Sequence, residues 1–242
     1  MSSESFDIPA FTPEPFVWNQ TAAILDTLRA ATPDTKSTPT TSITPEEAQS
    51  LVQWVVAGAA DRLKKIFPKM QEDWGEYALG KCVFASAAAR DLLRDIPKDY
   101  IHHFNMHRAG STPHDVIILH LPIKSAKSDQ AEWKSYVIDP TLVQFFHDHN
   151  IGKRMTETAE GRAFATELIS HGYAELSEAT AKLYTEAFVP SILLRNSLKN
   201  AGGSYLKLLT SPEFAKVEYS DDPRKIFKNI PPRDQSGEGR WA

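Results

Sequence analysis

Apolar positions recur at helical spacing between residues 48 and 63: Ala48, Leu51, Val52, Val55, Val56, Ala59 and Leu63 fall on one face. Thr44-Pro45-Glu46-Glu47 reads as a capping box with proline at the first helical position, and Pro68 stops the run. A second helix is predicted from Cys82 to Leu93, preceded by Gly80-Lys81 and closed by Ile96-Pro97. Its alanines suit close packing on a sheet. Strands follow at residues 100–106, 114–121 and 135–138, the last two as antiparallel partners. The polar stretch 122–134 between them reads as a solvent-exposed excursion. Helical spacing returns over residues 158–171 and 177–198. Gly172 stands where a helix C-terminal glycine would, and Gly202-Gly203 breaks the run.

The ends of the chain differ from this middle. Five prolines and a Thr/Ser-rich stretch predict a flexible arm over residues 1–43, with a short helix over 18–30. The last residues, 220–242, read as an extended tail. Residues 44–219 then form one α+β domain with additional C-terminal helices.

Composition narrows the functional classes. With 242 residues and 41% hydrophobic content a sizeable core can form. A net charge of −4 argues against a dedicated nucleic-acid binder. No apolar stretch approaches the roughly 18 residues of a membrane span. A single cysteine excludes an intramolecular disulfide. The first residues lack the apolar segment of a cleaved signal peptide, which predicts a cytoplasmic protein or one exported without such a signal. No phosphate-binding glycine motif is present, and no cofactor is expected.

The chemistry centres on Cys82. At a helix N-terminus unpaired amides and the helix dipole favour a negative charge, which raises the thiolate fraction of a cysteine. The same amides can donate to an oxyanion. The alternative is a small buried core residue beside Val83, Phe84 and Ala85. His114 opens one predicted strand and Asp139 closes its partner. Antiparallel pairing sets the start of one beside the end of the other. A helix packed on that sheet can present Cys82 at the same rim, which gives the thiol, imidazole and carboxylate of a catalytic triad.

Gly80-Lys81-Cys82-Val83-Phe84-Ala85, Leu92-Leu93-Arg94-Asp95-Ile96-Pro97, His114 and Val137-Ile138-Asp139-Pro140-Thr141 resemble the nucleophile helix and the His and Asp strands of transglutaminase-like proteins. That superfamily includes papain-like peptidases, glutamine deamidases and bacterial toxin or effector domains. The resemblance spans roughly residues 80–145. It implies a papain-like/transglutaminase-like core, with a nucleophile helix packed on an antiparallel sheet. It also implies cofactor-free acyl transfer on a protein substrate, and for an effector an immunity or host partner. The sequence departs from the family in having Asp115-Val116 after the histidine and a long His-to-Asp interval.

Other residues compete for roles. His102, His103 and His107 are alternative bases. His120 shares a strand with His114 but lies about 20 Å along it. Gln71 and Trp74, upstream of Cys82, are candidates to complete an oxyanion hole. His147-Asp148-His149 lacks a companion ligand cluster and reads as a solvated loop rather than a metal site.

Overall fold

The computed structural model describes residues 6–13, 18–30, 41–105, 114–125, 131–146, 150–189 and 191–210. Its architecture is α+β.

The capping box forms as the sequence indicates. Thr44 Oγ1 accepts from the Glu47 amide, and the Glu47 carboxylate accepts from the Thr44 amide at 2.7 Å. Helices α1 (Trp18–Ala30) and α2 (Pro45–Ile66) pack together. Leu51, Val52, Val55, Ala59 and Leu63 on α2 are fully or almost fully buried, which makes it the central helix of the core. After the short α3 (Trp74–Tyr77) comes α4 (Cys82–Leu92), whose Ala85, Ala88 and Ala89 let it approach α2 closely. Asp91 of α4 pairs with Arg62 of α2.

The sheet is antiparallel, in the order β1 (Ile101–Asn105), β2 (Asp115–Lys124), β3 (Ala131–Ile138) and β4 (Tyr173–Leu176). Gln53 of α2 donates to the Tyr173 hydroxyl, so α2 covers one face. Between β3 and β4 lie α5 (Asn150–Met155) and α6 (Ala159–His171). Gly172 ends α6 with φ of 77°, the left-handed cap expected there. Beyond β4 come α7 (Glu178–Phe188), α8 (Ser191–Asn200) and α9 (Tyr205–Leu209). None of the described helices is long and apolar enough to cross a membrane.

Several expectations are corrected. The stretch 122–134 is not a loop throughout: β2 runs on to Lys124 and β3 starts at Ala131, with Pro122 opposite Trp133. Proline is tolerated because β1 stops pairing at Leu119. Beyond that point, among the described residues, only Ile43 bridges the edge, donating to the Pro122 carbonyl and accepting from Lys124. The helical run 177–198 is two helices, separated after Phe188, and β4 was not foreseen. The arm expected over residues 1–43 is packed on the domain where it is described. Ile24, Leu25 and Leu28 of α1 are buried, Phe11 stacks on Trp74, and the Thr12 amide donates to Ser170. The tail at 220–242 lies outside the described residues.

Candidate active site

The β2–β3 register decides the geometry. Ile117 sits opposite Ile138, so the residues just before β2 and just after β3 share one rim of the sheet. His114 and Asp139 are those residues. His114 Nε2 lies 2.7 Å from Asp139 Oδ2, with both side chains buried. A carboxylate only accepts, so Nε2 carries the proton and Nδ1 faces the other way. Nδ1 is buried and makes no hydrogen bond among the described residues.

Asp139 is held by four donors. The Thr141 amide and hydroxyl reach Oδ1 at 3.3 and 3.1 Å. His114 and the Tyr184 hydroxyl reach Oδ2, the latter at 2.8 Å. An acceptor saturated in this way suits an ionised carboxylate. The Asp139 backbone is fixed too, its amide donating to the Gly172 carbonyl at 2.9 Å.

Cys82 is the first residue of α4 and exposes 5% of its surface. Lys81 precedes it without a side-chain cap, and none of the described side chains is hydrogen-bonded to the amides at this helix end. Gly80 takes φ of 70°, a turn that favours glycine, and donates its amide to Gln144 Oε1 at 2.8 Å. Gln144 in turn donates to the Thr141 carbonyl at 3.0 Å. One buried amide therefore ties the turn before Cys82 to the turn after Asp139.

Burial disfavours an imidazolium at His114, but the charge and hydrogen bond of Asp139 overcome it, aided by the Cys82 side chain. Together they push His114 up to about 10. The ring is wedged between aromatic side chains, stacked on Phe188 at 4.6 Å and edge-on to Phe145 at 4.6 Å. Those rings fix its plane and exclude water.

Both oxyanion candidates donate to backbone carbonyls. The Trp74 indole N–H is spent on the Pro140 carbonyl at 2.6 Å. Gln71 Nε2 donates to the Lys64 carbonyl. The indole has no second N–H to offer, whereas the Gln71 amide keeps one. Among the alternative bases, His103 bonds Asp115 at 3.1 Å. His102 lies beside His120 on the strand face, with ring centroids 6.3 Å apart. His120 stacks on Trp133 and contacts Ser135. These histidines are engaged with partners other than Cys82, Asp139 or Tyr184. His107 and the His147–His149 stretch lie outside the described residues.

Sequence reasoning missed Tyr184, Gln144, Thr141, Phe145 and Phe188. The D-P-T turn places Thr141 two residues after Asp139, where its amide is a natural Asx-turn donor to the carboxylate. The others carry no local signal.

No family model matches this chain, and no curated protein or solved structure matches it.

Proposed function

We propose that this protein is a cysteine-dependent acyl-transfer enzyme of transglutaminase-like character, acting on glutamine side chains of a protein substrate. The observation that carries the reading is the buried His114–Asp139 pair, with Nε2 on the carboxylate and Nδ1 on the opposite side of the ring, without a hydrogen-bond partner among the described residues. Cys82, at an uncapped helix end, is close enough to favour the charged imidazole.

The Cys82 thiolate attacks the carboxamide carbon, and helix amides receive the oxyanion. The His114 imidazolium gives its proton to the departing nitrogen, the C–N bond breaks and ammonia leaves a thioester on Cys82. Water then adds, with His114 accepting its proton, and the substrate leaves as glutamate with the thiol restored. A primary amine in place of water gives a cross-link. Asp139 orients the imidazole and compensates its charge. The choice of glutamine over a main-chain bond rests on the motif resemblance.

One observation favours a second reading, a binding module on the same scaffold with an inert triad: Cys82 exposes only 5% of its surface. Mass spectrometry of glutamine-containing proteins and peptides incubated with the enzyme, with and without a primary amine, separates the readings. Amide-to-acid conversion or amine incorporation, lost in Cys82→Ser, is expected. Shortened chains would mark a thiol peptidase instead. Unmodified substrates together with a Cys82 inert to alkylation would leave the binding module.

A further inference from the structure

The carboxylate oxygen that holds His114 is shared. Thr141 occupies Oδ1 of Asp139, and Oδ2 receives both His114 at 2.7 Å and the Tyr184 hydroxyl at 2.8 Å. The Tyr184 oxygen also lies 3.3 Å from His114 Nε2. Tyr184 is fully buried. A phenylalanine would fill the same space, so packing alone does not call for the hydroxyl.

We propose that Tyr184 is a positioning residue that tunes the triad: by donating to Asp139 Oδ2 it weakens that carboxylate's hold on the His114 proton. The inference rests on the acyl-transfer reading for its purpose, but its physics concerns only the three side chains.

A phenol has one proton, and Tyr184 directs it at Oδ2. Burial first, and then the Asp139 charge, push the phenol well above its ordinary value, so it remains a donor across the working range. Each donor on a carboxylate draws off negative charge, which makes the potential at the neighbouring imidazole less negative and the imidazolium less favoured. Among the described residues, the titratable groups facing His114 are Asp139 after β3, Cys82 at the head of α4 and Tyr184 on α7. The aromatic rings against it, Phe145 and Phe188, are uncharged. Asp139 and Cys82 both favour the imidazolium. Tyr184 acts in the opposite direction, through Asp139.

That direction serves catalysis. His114 must release a proton to the leaving nitrogen and later take one from water. A group with its proton held too tightly does both slowly near neutral pH. Tyr184 and Phe188 lie one helical turn apart on α7, so one helix supplies both the tuning donor and the ring that sets the imidazole plane.

The test is the NMR titration of the His114 ring in the full chain, which needs no substrate. In Tyr184→Phe the midpoint is expected to rise by about one pH unit, the scale of one charge-assisted hydrogen bond. With the tyrosines replaced by 3-fluorotyrosine, whose more acidic hydroxyl donates more strongly, it is expected to fall. The fluorinated chain decides the matter if Tyr184→Phe does not fold. A midpoint that stays put or moves down in a folded Tyr184→Phe, or one that fails to fall with fluorotyrosine, overturns the tuning role. Failure of the acyl-transfer reading would appear separately, as absent glutamine chemistry with the His114 shifts intact.

Discussion

The Trp74 indole donates its N–H to the Pro140 carbonyl at 2.6 Å, tying the segment that leads into Cys82 to the turn that carries Asp139. Phe11 stacks on the other side of the indole, with ring centroids 4.4 Å apart. Trp74→Phe keeps an aromatic ring for Phe11 but leaves a carbonyl without its donor. A loss of about 1–3 kcal/mol is expected in urea unfolding, together with slower alkylation of Cys82 in the folded protein. Unchanged stability would mean that the carbonyl finds water instead.

Two histidines give opposite pH dependences. His114 is raised, to about 10, by Asp139 and Cys82 against the opposing effect of burial. Its contribution to stability is therefore complete below the unfolded value of about 6.5 and is lost as pH rises towards 10. His120 is lowered to about 4, by burial first and then by the charge of His102. Its contribution is present above about 6.5 and is lost as pH falls towards 4. Urea midpoints measured from pH 4 to 10 should fall at both ends. His114→Gln should flatten the alkaline limb only, and His120→Gln the acid limb only. Both limbs surviving in both variants would assign the dependence to other groups.

Gly172 links a helix cap to the site. Its φ is 77°, and its carbonyl accepts the Asp139 amide at 2.9 Å. A Cβ there would lie 2.8 Å from Val56 and 2.9 Å from Phe11. Gly172→Ala should cost about 1–2 kcal/mol for the left-handed backbone alone, with more from those contacts. Thermal unfolding reads the loss, and the His114 titration should shift with it because the Asp139 backbone is displaced. A variant as stable as the parent would contradict the strain assigned to this turn.

Much of this arrangement is legible in the sequence because the signals are local. The capping box at Thr44, the glycine stop at Gly172 and the small-residue face of α4 each need only a few neighbouring residues. The apolar runs at residues 116–121 and 136–138 mark the two strands at the ends that pair, so the rim joining His114 to Asp139 could be anticipated. β4 could not, because four residues between a glycine cap and a serine cap are too few for alternation to register. Pro122 reads as a loop residue, since nothing local says that its missing N–H faces a nearly unpaired edge. Tyr184 at helical spacing looks like any core aromatic; only the packing of α7 against the rim gives its hydroxyl a carboxylate.

The most direct measurement is the rate of Cys82 alkylation by iodoacetamide across pH 5–9, in the parent protein and in His114→Ala. A free thiol of ordinary acidity loses reactivity about tenfold per pH unit below its titration point near 8.5. The account predicts that alkylation of the parent persists at pH 6 and that His114→Ala restores the steep loss. Profiles that fall steeply and alike in both proteins, or a Cys82 that does not react until the protein unfolds, would contradict the thiolate–imidazole pair and with it the proposed enzyme.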